Sequence, residues 1–139
     1  MTPPILLDSC AIIYILELQR MKRPAVEAVA AASAQTGSLL VSPITAWEFA
    51  MLFAKGRFRS TVTAQEYWRR VVAIQGVALA PMPPEVLMSS WHLPGLLRHR
   101  DPWDRIIAAT AREYGFTVMT RDRALLDYAK EGHLSALEC

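Results

Sequence analysis

The chemically suggestive residues of this chain are carboxylates placed at the ends of apolar runs. Asp8 directly follows Ile5-Leu6-Leu7, and Asp122 stands two residues beyond the run Phe116 to Thr120. Glu48 lies near the start of the helix expected after Leu39-Leu40-Val41, while Asp101 and Asp104 open the helix that begins at Pro102. Of the five aspartates, only Asp127 lies elsewhere. Ligands of an open α/β sheet bind beyond the carboxyl ends of its strands, so these acids map to positions that can share one edge. Carboxylates crowded there repel one another, and a cation relieves the repulsion. Mg²⁺ and Mn²⁺ prefer oxygen ligands, and Mg²⁺ usually keeps several waters. Such a site can activate water and stabilise an in-line displacement at phosphorus.

Each acid also has a purely structural explanation. Asp is a favoured N-cap, and acids in a first turn complement the helix dipole. Asp8, Asp101 and Asp122 can each cap the next helix, and Asp104 falls in a first turn. Glu48 is harder to explain this way. It lies among Ile44, Ala46, Trp47, Phe49 and Ala50, where an unpaired carboxylate is expensive to bury.

Other chemistries find less support. His92, His99 and His133 are scattered without metal-ligand spacing, which argues against zinc hydrolysis. The chain contains no GxxxxGK[ST], GxGxxG or GxSxG. Cys10 and Cys139 are far apart with no CxxC pair, which argues against a disulfide framework and fits a reducing compartment.

The elements that must position the acids are marked by short apolar runs and helix punctuation. Strands are expected at Ile5–Leu7, Leu39–Val41, Val77–Ala80 and Phe116–Thr120, with a last one at Leu134–Leu137. Helices are expected from Cys10 to Leu18, from Pro24 to about Gln35, and from Pro43 to Lys55. Another runs from Ala64 to Gln75 behind a Thr63–Glu66 capping box. A helix starts at Pro83-Pro84 and ends before Pro94-Gly95. The last two run from Pro102 to Tyr114 and from Arg123 to Glu131. Continuous apolar strands suggest burial on both faces, as in a parallel sheet covered by helices. The expected class is α/β, a three-layer α/β/α sandwich with a central parallel sheet, formed by one domain over residues 1–139.

In chain order, Leu6-Leu7-Asp8-Ser9, then Ser42-Pro43-Ile44-Thr45-Ala46-Trp47-Glu48-Phe49, then His99-Arg100-Asp101-Pro102-Trp103-Asp104-Arg105-Ile106-Ile107-Ala108, and finally Thr120-Arg121-Asp122 form an ordered set. The set resembles the successive motifs of PIN-domain ribonucleases, and most of all the VapC-type toxins of bacterial toxin–antitoxin pairs. The resemblance implies a Rossmann-like sandwich and a metal-dependent endoribonuclease. Asp8, Glu48, Asp104 and Asp122 match the four acids that hold Mg²⁺ or Mn²⁺. Ser9 and Thr120 match small supporting hydroxyl residues, and Asp101 matches an acid outside the core four. Trp103 stands where Phe is common. The resemblance also implies a homodimer and a small VapB-like antitoxin that wraps the toxin. Two other readings stand beside this one: a divalent-metal phosphatase or DNA nuclease on the same acids, and a non-catalytic binding module. Position 10 is Cys, so the paired DxD of many phosphatases is missing.

The formal charge of +2 is too small to indicate nucleic acid by itself. Twelve Arg against three Lys is more informative, because Arg presents a planar fork suited to phosphate. Arg57 with Arg59 form one local group, Arg98, Arg100 and Arg105 a second, and Arg121 with Arg123 a third. The second and third flank the acidic motifs, so Arg100, Arg105 and Arg121 are the candidates for RNA-backbone contact. A solvated face or pairing with Glu explains any single Arg equally simply. Among the tryptophans, Trp103 is the candidate for stacking on a base. Trp47 reads as core, and Trp68 and Trp91 as core or dimer contact. The Ala-rich stretch from Ala25 to Ala34 reads as packing or as an antitoxin-facing surface. No apolar run reaches the roughly 18 to 20 residues of a membrane span. Residues Ile5 to Leu18 lack a basic leader and are interrupted by Asp8, so they read as part of a soluble, cytoplasmic fold.

Overall fold

The computed structural model describes residues 2–58, 61–95, 97–98 and 101–139. Five strands form one sheet: β1 (Ile5–Leu7), β2 (Leu39–Val41), β3 (Val77–Leu79), β4 (Thr117–Thr120) and β5 (Ser135–Glu138). Their order is β3-β2-β1-β4-β5 and every pairing is parallel. The helices are α1 (Ser9–Leu16), α2 (Arg23–Ser33), α3 (Pro43–Ala54), α4 (Ala64–Val72), α5 (Pro84–Ser89), α6 (Pro102–Tyr114) and α7 (Arg123–Lys130). This is the three-layer α/β/α sandwich expected from the alternation of short apolar strands and longer helices.

Side chains alternate across a strand, and the register converts that alternation into two cores. Ile5, Leu39 and Val77 are in register, as are Leu7, Met119 and Leu137. They join Ala11, Ile12, Ala25, Phe49, Tyr67 and Val71 on one face. Leu6, Leu40, Ala78 and Val118 point the other way, onto Ile107 and Ala111 of α6. Leu125 and Tyr128 of α7 pack with Ala108 and Leu97 beside that second core. β1, β2 and most of β4 are buried on both faces. The edge strands are not: Leu79 of β3 is exposed, and β5 is only partly covered.

Several helices are shorter than their sequence signals. α1 stops at Leu16, and Leu18 beyond it takes a left-handed backbone (φ 53°) and is exposed. α4 ends at Val72 and α5 at Ser89. Thr63 does cap α4 by accepting from the Glu66 amide (3.1 Å). The Glu66 carboxylate accepts from Arg69 on the next turn (2.9 Å). α6 matches its expected span, closed by Gly115 in the left-handed region (φ 72°).

The chain builds the sheet in two directions from its first strand. From β1 it moves outward to β2 and β3, and it later returns to the other side of β1 to lay down β4 and β5. The strand order therefore reverses between β1 and β4, the place where open α/β sheets form a crevice at their carboxyl ends. Among the described residues, no helix is long and apolar enough to cross a membrane.

Candidate active site

Asp8 leaves β1 at that reversal. Its amide donates to the Met119 carbonyl (3.0 Å), which ties the carboxyl end of β1 to β4. Its side chain is nearly covered and serves as the N-cap of α1, accepting from the Ser9 amide (2.9 Å). The other carboxylate oxygen accepts from the Thr120 hydroxyl (2.7 Å). Thr120 also accepts from the Asp122 amide (2.9 Å), and Asp122 caps α7 by accepting from the Leu125 amide (2.9 Å). One hydroxyl thus links the acids at the ends of the two central strands. Across the cleft, the Ser9 hydroxyl donates to Glu48 (3.1 Å), half-buried on α3.

Asp8, Ser9, Glu48, Asp101, Asp104 and Asp122 line one cleft of about 610 Å³. Caps explain part of this arrangement. Asp8 and Asp122 make cap bonds, but Asp101 occupies the N-cap position of α6 without a side-chain cap bond. Asp104, in the first turn of α6, is 8% exposed. Burial pushes its carboxyl up to about 9, reinforced by the charges of Asp8, Glu48, Asp122 and Asp101. Burial also leads in raising Glu48 to about 7; Asp8 adds to it, the Ser9 hydrogen bond opposes it, and Asp101 adds again. Burial first, and the neighbouring acids second, thus let Glu48 and Asp104 hold protons near neutral pH, which marks a functional-site candidate. A cation removes that penalty. Among the described residues, no three acid, His or Cys side chains are already arranged to hold one ion between them. The all-oxygen donor set suits a hard cation that retains part of its water shell.

A family model described as the PIN domain matches residues 5–131. The chain belongs to the PIN-domain family. Solved structures share its fold at low sequence identity. A chain of the VapBC2 complex from Rickettsia felis, bound to a promoter DNA fragment, has a TM-score of 0.67 at 12% identity, covering 96% of this chain and 97% of its own length. The corresponding values for PAE2754 from Pyrobaculum aerophilum are 0.58 and 20%, covering 99% and 90%. FitAB bound to a DNA fragment gives 0.54 and 19%, covering 96% and 94%. No curated protein matches the chain significantly.

In this PIN domain the remaining candidates divide. Trp103 and Arg121 line the acid cleft. Arg121 also donates to the Cys139 carbonyl (2.9 Å) and lies over the Tyr14 ring. Arg105 turns away: it donates to the Ser90 carbonyl (2.9 Å) and its guanidinium covers the exposed Trp91. Arg98 and Arg123 line a separate cleft with Asp127 and Lys130. Arg59, His99 and Arg100 lie outside the described residues. The sequence grouped Arg57 with Arg59 without placing it beside the acids, and it did not single out Lys55, Met51 and Leu52; all four line the acid cleft. Helical spacing could have found three of them. Met51 and Leu52 stand three and four residues after Glu48 on its face of α3, and Lys55, seven residues after it, is the C-cap of that helix.

Trp47 requires a correction. It is 55% exposed rather than core. At about 100° per residue, Phe49 lies on the opposite side of α3, and it is Phe49 that fills the core. Trp91 is exposed, which removes the core alternative for it and not the dimer contact, whereas Trp68 packs against the core. The two cysteines, distant in sequence, come together in the fold: Cys10 packs against the buried cluster that includes Cys139. The neighbouring Cys139 side chain, burial and the charge of Asp8 all push the Cys10 thiol up. A thiol held in its protonated form is a poor nucleophile.

Proposed function

We propose that this PIN domain is a metal-dependent endoribonuclease acting as the toxin of a toxin–antitoxin pair. The carrying observation is the convergence of Asp8, Glu48, Asp104 and Asp122 on one cleft at the strand-order reversal, where burial and the neighbouring acids raise the carboxyls of Glu48 and Asp104. In this reading those four acids hold Mg²⁺ or Mn²⁺, in part through water. Bound there, the cation supplies Lewis acidity toward phosphoryl oxygens and acidifies water. Thr120 and Ser9 fix the carboxylates of Asp8 and Glu48 by donating to them. Asp101 adds negative charge at the cleft mouth. Arg121, with Lys55 and Arg57, draws the RNA backbone toward an otherwise repulsive acidic centre. The chain itself supplies no covalent nucleophile, so Ser9 and Cys10 have no such role. A small antitoxin and a second copy of the chain are the expected partners. The antitoxin is supported by the fold shared with proteins solved as VapBC2 and FitAB.

The test is cleavage of RNA by purified protein with and without Mg²⁺ or Mn²⁺. Wild type should cleave only with metal. Asp8→Asn and Asp104→Asn should lose cleavage by about a hundredfold or more while keeping their circular dichroism. Cleavage retained in both variants, or cleavage of DNA in preference to RNA, would contradict the proposal.

A further inference from the structure

Trp47 and Trp103 come from different helices and meet at the rim of the acid cleft. Their ring centroids are 5.6 Å apart and the planes are tilted by 40°. Tilted rings do not cover each other's faces as stacked rings do. Trp103 lines the cleft, and more than half of Trp47 is open to solvent. Trp47 directly precedes Glu48, and Trp103 directly precedes Asp104. The Cα of each tryptophan is thus about 3.8 Å from that of a residue carrying a site carboxylate.

A large aromatic surface left in water is unfavourable until something flat and apolar covers it. An occupant of this rim must also suit the cations in the same cleft, Lys55, Arg57 and Arg121. A nucleic-acid strand meets both demands, because it alternates apolar base faces with anionic phosphates. A paired base inside a helix already has both faces stacked, whereas an unpaired one can be laid on an aromatic side chain.

We infer that Trp47 and Trp103 form a stacking platform that seats one unpaired nucleobase of the RNA next to the scissile phosphate. The inference rests on the ribonuclease reading and assigns two positioning residues to it. Trp103 is the half-buried anchor and Trp47 the open face. Both are positioning residues: they fix the strand so that its backbone faces the carboxylates.

The experiment compares a short unstructured RNA, the same RNA with one abasic nucleotide moved through each position, and a blunt RNA duplex. Cleavage kinetics and quenching of indole fluorescence are both recorded. Wild type should prefer the unstructured RNA, and an abasic nucleotide beside the cut should raise KM by about tenfold or more. Trp47→Ala should raise KM similarly and no longer respond to the abasic position, with Trp47→Phe in between. The abasic series needs no altered protein, so a poorly folding variant leaves the inference open to refutation. Equal cleavage of duplex and single strand, or an abasic series without effect, would overturn the platform and leave the nuclease reading intact. Loss of a protein partner by Trp47→Ala with unchanged RNA binding would also overturn it, assigning the face to protein docking. Wild type that binds single strands through quenching, but cleaves nothing with metal present, would sink the nuclease reading and spare the platform.

Discussion

Asp104 carries the sharpest electrostatic consequence of the site. Its carboxyl is raised to about 9 and that of Glu48 to about 7, both chiefly by burial. The folded protein therefore binds these protons more tightly than the unfolded chain. The associated stability is fully present below the ordinary carboxylate range and is lost as pH rises through about 7 and then about 9. In the absence of divalent ions, the thermal midpoint should fall between about pH 6 and pH 9. Asp104→Asn should flatten that fall and be the more stable protein at the alkaline end. Thermal denaturation across this range checks it. A wild-type midpoint that climbs with pH, or a variant that falls as steeply, would contradict the assignment. At the same scale, Trp47 shows where residue-level reading stops. An apolar neighbourhood in sequence suggested core, but helix phase gave the interior to Phe49 and left Trp47 at the rim.

The helix caps hold the site acids in place, and this makes a structural and a chemical role separable. Asp122 accepts from the Leu125 amide at the start of α7. Asn caps nearly as well as Asp, whereas Ala does not. Asp122→Asn should keep stability within a few tenths of a kcal/mol, while Asp122→Ala should lose about 1 kcal/mol. Both should lose metal-dependent cleavage if the carboxylate is chemical as well as structural. Urea denaturation beside a cleavage assay reads the two effects separately. Equal stability of the two variants would remove the cap, and full activity of either would remove the catalytic role. Much of this element-level design is legible in the sequence, because strands ending just before Asp8 and at Thr120 and helices opened by Pro43 and Pro102 carry strong local signals. The ends of α1, α4 and α5 are less legible. No glycine or proline directly follows their last turns, so tertiary packing sets where they stop. The cysteine contact is hidden for a different reason. It depends on β4 pairing with β5, with Thr120 opposite Glu138, which carries Cys139 back beside α1.

At the scale of the whole molecule, the sheet separates two cores and leaves one edge for chemistry. The order β3-β2-β1-β4-β5 places the ends of β1 and β4 side by side, so acids distant in sequence converge without any of the connecting loops having to be long. The near-neutral formal charge conceals this partition. An acidic centre is bordered by Lys55, Arg57 and Arg121, and a separate cleft of mixed charge is lined by Arg98, Arg123 and Lys130 with Asp127 and Glu131. The family and the fold are readable from the ordered motifs, whereas which cations face the acids needs the three-dimensional arrangement. Arg105 flanks the acidic motif in sequence yet is committed to Ser90 and Trp91. Arg57 lies away from the motifs in sequence and enters the cleft through α3 and the turn after it. The central claim is that the converged carboxylates hold a divalent cation. Calorimetric titration of Mn²⁺ into the purified protein near neutral pH, where the ion stays in solution and its binding displaces protons from the ligands, tests this most directly. Wild type should show saturable binding that Glu48→Gln and Asp104→Asn each weaken at least about tenfold. No saturable binding, or Glu48→Gln binding as tightly as wild type, would contradict the claim.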